Sequence, residues 1–315
     1  MIAFVARRVL STIPVLILVS LAVYGFMLLI PGDPAVTIAG GVNATPAQVA
    51  RVQAALHLNE PFLVQYWHWV QGALHLNFGT SLYNSEPVAQ SIFAKLPVTA
   101  SIVVGAMVFG IVVGGVSGVL AGMRPGTRSD RALMSGAALG IAMPGFLLGM
   151  ILLWLFAVKV HWFPVIGYTS IAQSPLAWLR SIILPSIALG VWIAASTARQ
   201  VRGDIADTMQ LAYIRTAWAK GASTVRVVGK HALKNAVIPV ITMTGLQLAG
   251  LMGGTVIIEQ LFSIPGLGLY LLQGITAHDM PVVMGGVVVF VLLYLVIGLA
   301  VDAAYMLVNP KVRLS

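Results

Sequence analysis

Apolar residues gather in six long runs, at 9–30, 99–123, 133–158, 181–198, 236–262 and 283–307. Each approaches or exceeds the ~20 apolar residues that a helix needs to cross a hydrocarbon core. The pattern predicts an all-α, polytopic membrane protein with six transmembrane helices. The fourth run is the shortest, and Pro185 interrupts it. The first follows Arg7 and Arg8, but it is too long for a signal-peptide core and no A-x-A-like site closes it. It is expected to be an uncleaved anchor.

Two longer polar segments separate these runs. The outer one, 31–98, carries three helical patterns. Thr45 is a good N-cap with Pro46 at the first helical position, and Val49, Val52 and Leu56 share a face behind it. Phe62, Tyr66, Trp67 and Trp69 form an aromatic cluster suited to a membrane interface or to a small outer cap. Ala89, Ile92, Phe93 and Leu96 make a short apolar face leading into span two. The inner segment, 199–235, is basic and reads as helix, glycine, helix. A short helix stops at Gly221-Ala222, and Val225, Val227 and Val228 begin another towards span five. The expected division is therefore 1–30 (first span), 31–98 (extracytoplasmic segment) and 99–315 (core with spans two to six).

Composition settles the solvent. Hydrophobic residues make up 59% of the chain and charged residues 9%, with a mean hydropathy of +0.95. Soluble domains carry about 25% charged residues, so this surface faces lipid. Of 18 Lys and Arg, only Arg51, Lys95, Lys159 and Arg180 fall on the side opposite the termini. Basic residues collect on the cytoplasmic side, which places both termini there. The net charge of +9 follows from this topology and from anionic headgroups; no nucleic-acid partner is expected. Cysteine is absent, which removes disulfides, thiolate metal sites and a thiol nucleophile.

Ionisable groups within spans are candidate functional groups, and here there are almost none. Glu259 sits near the outer end of span five and Asp302 near the inner end of span six. Ion-coupled carriers place charged groups or broken helices at mid-membrane, so transport energy is expected from outside the chain. An ion-coupled secondary transporter or a channel is the alternative. No HExxH and no GxxxxGK[ST] occurs, and the six histidines are scattered over loops. No catalytic residue and no metal site is expected. Gly110, Gly114, Gly118 and Gly122 recur every fourth residue in span two, as do Gly136 with Gly140 and Gly145 with Gly149 in span three. Small residues at this spacing let helix backbones approach closely. Span five adds Gly245, Gly250, Gly253 and Gly254, and Pro144 is expected to kink span three.

The inner segment from Tyr213 through Arg215-Thr216-Ala217-Trp218-Ala219-Lys220-Gly221-Ala222 to Pro239 resembles the loop shared by permeases of ATP-binding-cassette (ABC) importers. That pattern is a Glu-Ala-Ala triplet, three residues, a glycine and, later, an apolar segment ending in proline. Here Arg215-Thr216-Ala217 occupies the triplet, a form the peptide-importing branch commonly shows. Three further stretches resemble the same branch: Ile30-Pro31-Gly32-Asp33-Pro34-Ala35; Asn77-Phe78-Gly79-Thr80-Ser81-Leu82 with Leu96-Pro97-Val98-Thr99; and Glu259 to Gly268 with Asp279-Met280-Pro281. Together they resemble the first of two permeases in a dipeptide, oligopeptide or nickel importer.

The resemblance implies a type I importer permease fold and a non-catalytic translocation subunit in a bacterial inner membrane. It implies a second homologous permease, two ATPase subunits and an extracytoplasmic substrate-binding protein as partners. This chain would bind no cofactor, and ATP and Mg would be bound by the ATPases. Residues 215–222 would form a coupling helix in a groove of an ATPase subunit, with Trp218 as a large anchor, Gly221 allowing close approach, and Arg215 and Lys220 reaching acids at the rim. Glu259, Phe262, Ser263, Pro265, Gly266 and Asp279 are candidates for an outer gate or loop. Turn chemistry at Pro265-Gly266 and a capping role for Glu259 are the plainer alternatives.

Overall fold

The structure, a computed structural model, describes residues 2–29, 34–39, 44–55 and 59–308. Thirteen α-helices follow one another among them: α1 (Ile2–Leu29), α2 (Pro34–Ala39), α3 (Pro46–Ala55), α4 (Phe62–Leu74), α5 (Val88–Gly122), α6 (Arg128–Ala142), α7 (Gly145–Leu152), α8 (Pro175–Thr208), α9 (Ala212–Ala219), α10 (Thr224–Val227), α11 (Leu233–Leu261), α12 (Leu267–Thr276) and α13 (Met280–Val308). π-helical turns extend α7 over Leu153–Lys159 and precede α11 over Val228–Ala232. The described residues contain no strand, only an isolated bridge between Thr80 and Pro87. The fold is all-α.

Over their described residues, the six apolar runs lie almost wholly on helices. Three of the helices are long and apolar enough to cross a bilayer: Val88–Gly122, Pro175–Thr208 and Met280–Val301. Two bent pairs, Arg128–Ala142 with Gly145–Lys159 and Pro239–Gly245 with Gly250–Leu261, are together as long and apolar as a span, and Leu10–Phe26 is a shorter apolar helix. The prolines behave differently from one another. Pro97 and Pro185 lie inside α5 and α8, which run through them. Around Pro185 the neighbours Ile182, Leu184 and Ser186 are buried, and that packing offsets a lost backbone bond. Span four is therefore not short: α8 continues well beyond its apolar run and forms the first part of the inner segment.

Pro144 does more than kink. Met143 takes an extended ψ of 122°, as residues before proline prefer, and the arms on either side are bent by 105°.

By contacts the chain forms two compact units. One comprises Met1–Pro97 and Gly266–Leu295. Its core joins Phe78, Val88, Ile92, Leu267, Tyr270, Val282 and Val289, with Trp69 and Leu96 packed against it. Tyr24 of α1 meets Phe62 and Tyr66 of α4 edge-on, at 5.5 and 5.7 Å between ring centres. Thr45 begins α3 with a reciprocal cap: its Oγ1 accepts from the Gln48 amide at 3.3 Å, and Gln48 Oε1 accepts from the Thr45 amide at 2.8 Å.

The other unit comprises Val98–Pro265 and Val296–Ser315, and here α5 lies along α8. A Cβ placed on Gly110, Gly114, Gly118 or Gly122 would lie 3.2, 2.5, 2.7 or 2.8 Å from the carbonyl oxygens of Gly190, Ala194, Ala198 and Arg202 respectively. The four-residue repeat on one helix thus meets a four-residue repeat of carbonyls on the other, the close backbone contact that small residues permit. Gly149 and Gly254 also abut neighbouring helices, whereas Cβ atoms at Gly136, Gly250 and Gly253 would have no neighbour within 4 Å.

Candidate functional site: the coupling surface and the outer motifs

Helix α9 holds the residues 215–219 of the predicted coupling element. It is short because both ends are defined locally. The chain leaves α8 through a turn in which the Leu211 amide donates to Thr208 O at 3.1 Å. At the other end Gly221 adopts φ +79°. Its amide donates to Trp218 O at 2.9 Å, and the Ala222 amide donates to Ala217 O at 3.1 Å. This pair of bonds is a Schellman ending, which requires a left-handed residue and favours glycine. A Cβ at Gly221 would meet nothing within 4 Å. Within this chain the glycine therefore serves backbone conformation, not close packing.

The helix has one inward anchor. Ile214 is fully buried, while Tyr213, Arg215, Thr216, Trp218, Ala219 and Lys220 are exposed, Trp218 at 42%. The exposed Trp218 thus shares a short helix, ended by a fixed turn, with the exposed Arg215, and Lys220 follows at its end. Val227 and Val228, both buried, then anchor the return towards α11.

The outer candidates fall in two places. In one unit, Glu259 is fully buried in the last turns of α11 and accepts a hydrogen bond from Thr99 Oγ1 at 2.6 Å. Phe262 is buried at the helix end, and Ser263 and Pro265 are exposed. Ser263 takes φ +49°. The Ile264 amide donates to Glu259 O at 2.9 Å and the Ser263 amide to Gln260 O at 3.3 Å, another Schellman ending. In the other unit, Gly266 caps the start of α12 and Asp279 is 2% exposed ahead of α13. The Asp279 carboxylate gathers donors from the segment 77–83: Ser81 Oγ at 2.5 Å, the Leu82 amide at 3.0 Å and the Tyr83 amide at 3.4 Å. It thus joins two of the recognised stretches, Asn77–Leu82 and Asp279–Pro281. The stretch at 30–33 lies outside the described residues.

Sequence reasoning assigned no role to Ser81, Thr99, Asp130 or Arg202. Asp130 had a cue: Thr127, three residues earlier, makes the capping pattern T-x-x-D, and the Asp130 amide does donate to Thr127 Oγ1 at 3.3 Å.

An apolar groove of about 790 Å³ runs between α5, α8, α11 and α13 in the second unit, lined by Met107, Val116, Val201, Val237 and Val240 among others. Among the described residues, no ionisable side chain lines it.

Residues 110–314 match the family described as binding-protein-dependent transport system inner membrane component, and residues 1–103 match its N-terminal companion. The chain belongs to this family. It is an inner-membrane permease of the ABC-importer class, which sets aside the ion-coupled alternative. It is 40% identical over 310 residues to the probable peptide ABC transporter permease protein y4tP of Sinorhizobium fredii, covering 98% of this chain and 99% of that one. It is 40% identical over 313 residues to a putative peptide transport system permease protein of Brucella abortus, covering 99% of each. It is 38% identical over 313 residues to the glutathione transport system permease protein GsiC of Escherichia coli, again covering 99% of each. Among solved structures it is similar to a chain of the inward-facing MetNI methionine ABC transporter, with a TM-score of 0.57 and 22% identity, covering 71% of this chain and 99% of that one. At that identity the likeness shows the fold: the permease has the type I ABC importer architecture.

Proposed function

We propose that this permease carries peptides into the bacterial cytoplasm, worked by ATPase subunits that dock at α9. The cargo follows from end-to-end similarity to permeases named for peptides and glutathione. The observation that carries the docking role is α9 itself: a short helix with one buried anchor, an exposed Trp218 and a fixed glycine ending. Residues 199–235 then face the cytoplasm with both termini, as the distribution of Lys and Arg supports, and 31–98 face outward.

A second, homologous permease completes the path, and an extracytoplasmic binding protein delivers cargo. ATP and Mg are held by two ATPase subunits, and this chain contributes no catalytic group. ATP binding favours the outward-facing state, and hydrolysis resets it, so one bistable bundle is biased by its partners. Cargo selectivity resides in the binding protein.

The test is reconstitution of this chain with its second permease, ATPases and binding protein in proteoliposomes, following radiolabelled di-, tri- and oligopeptides, including glutathione. ATP-dependent uptake of at least one peptide class is expected. Uptake driven by an ion gradient in vesicles lacking the ATPases refutes the ATP-driven reading, and ATP-dependent uptake confined to non-peptide cargo refutes the peptide assignment.

A further inference from the structure

The inner ends of three helices meet at Arg202. Its guanidinium holds the Asp130 carboxylate as a fork: Nε donates to Oδ1 at 3.2 Å and Nη2 to Oδ2 at 2.9 Å. Asp130 is 3% exposed, and its Oδ2 also accepts from the Gly126 amide at 2.8 Å. Arg131 Nη2 donates to the Gly126 carbonyl at 3.2 Å. The turn between α5 and α6 is therefore fastened to a side chain of α8. The backbone of Arg202 also lies close against α5, since its carbonyl oxygen would be 2.8 Å from a Cβ on Gly122.

The place of this pair along the chain gives it meaning. Beyond Arg202, α8 runs only to Thr208 before the turn into α9. Val201 and Ile205, on either side of Arg202, are buried with Ala232 and Ala236 at the start of span five, with Met123 and Met209 against them. A push on α9 thus enters the bundle through the turn that carries Arg202. A buried ion pair adds little stability over a well-packed apolar pair; what a bidentate fork adds is one fixed orientation.

We infer that Asp130 and Arg202 are positioning residues for coupled transport: they make the inner ends of α5, α6 and α8 move as one body, so that displacement of α9 reaches spans two and three together with span four. This rests on α9 being the contact with the ATPase.

The experiment measures peptide uptake and ATP hydrolysis together in the reconstituted transporter. Asp130→Asn and Arg202→Met are each expected to raise the ATP consumed per peptide moved about tenfold, within the range of coupling energies between distant sites, with the ATPase subunits still co-purifying. Arg202→Lys, which keeps the charge and loses the fork, is expected to fall between these and the native protein. Because the chain has no cysteine, Asp130→Cys/Arg202→Cys accepts a short thiol-to-thiol cross-linker at this one point. Joining the two positions covalently is expected to return the ratio towards its native value.

An unchanged ratio in both single variants overturns the inference. So does a loss of uptake that only follows lost co-purification, or a cross-linked variant no better than the uncross-linked one. Gly221→Trp in the same vesicles judges α9 separately. Normal uptake there removes α9 as the contact, while the ratio at Asp130 and Arg202 still reports whether α6 must be joined to α8.

Discussion

Ser81 Oγ donates to Asp279 Oδ2 at 2.5 Å, joining positions 198 residues apart in sequence. The same oxygen receives the Leu82 and Tyr83 amides, and Oδ1 receives the Val282 amide at 3.3 Å in the first turn of α13. One buried carboxylate therefore closes a loop and caps a helix at once. Asp279→Ala strands a hydroxyl and several amides in a buried place, at roughly 1–3 kcal/mol for each group left unpaired. Ser81→Ala removes one donor from a carboxylate that keeps its amides, and takes the Oγ acceptor from the part-buried Tyr83 and Asn84 amides, of which Tyr83 still reaches Asp279; it should cost about 1–2 kcal/mol. Thermal unfolding of the purified chain in detergent should rank Asp279→Ala well below Ser81→Ala. The reverse order would show that the hydroxyl, and not the carboxylate, organises this loop.

The glycine face of α5 makes a second, sharper comparison. Gly114 and Gly118 oppose the backbone oxygens of Ala194 and Ala198, and backbone does not move aside as a flexible side chain does. Gly114→Leu should therefore separate the helices and cost upwards of the ~1–3 kcal/mol typical of an overpacked core. Gly115 lies one residue away with nothing within 4 Å of its Cβ position, so Gly115→Ala should be silent and even favour the helix slightly. Expression and detergent stability of the two variants give the answer. Equal tolerance at both positions contradicts the close approach of α5 to α8.

How much of this was legible in the sequence depends on the range of the interaction. The six runs and the helix–glycine–helix of the inner segment depend on residues a few places apart, and helices stand at each of them, although the third run breaks at Pro144 and α8 outruns the fourth. Prolines misled at the boundaries, because Pro97 and Pro185 sit in helices that tertiary packing carries through them, whereas Met143 before Pro144 gives way completely. Helix endings show the same limit. Gly221 announced its left-handed turn. Leu76, Ser263 and His278 take φ of +59°, +49° and +55° at the ends of α4, α11 and α12 with no glycine to mark them. After two of these turns comes a residue buried deeply, Ile264 and Asp279, and its burial offsets the backbone cost. The ion pair between Asp130 and Arg202 was illegible for a different reason. Its partners are 72 residues apart, and the sidedness of the basic residues already accounted for Arg202.

Gly221 itself supports a prediction of its own. A bulky side chain fits the surrounding space but not the backbone, since left-handed conformation costs an L-residue roughly 1–2 kcal/mol. Gly221→Trp should loosen the end of α9 and place an indole on the proposed docking surface, abolishing coupled transport while membrane insertion stays intact. Immunoblotting of membrane fractions and uptake in the reconstituted complex separate the two effects. Normal uptake by this variant argues against α9 as the place where force enters.

Trp218 is the remaining handle on the proposed docking surface. It is 42% exposed on a helix whose sole buried side chain is Ile214. Removing it should leave this chain's own core untouched, so any effect on assembly belongs to the partner. Trp and Arg dominate the energetics of protein interfaces when they fill a desolvated pocket, and truncating such an anchor costs roughly 1–4 kcal/mol. Trp218→Ala should therefore weaken ATPase co-purification by about tenfold or more, whereas Val225→Ala, also exposed at 82% but lying beyond the glycine ending, should change it little. Unchanged co-purification by Trp218→Ala would take the indole out of the interface and leave Arg215 and Lys220 to hold it.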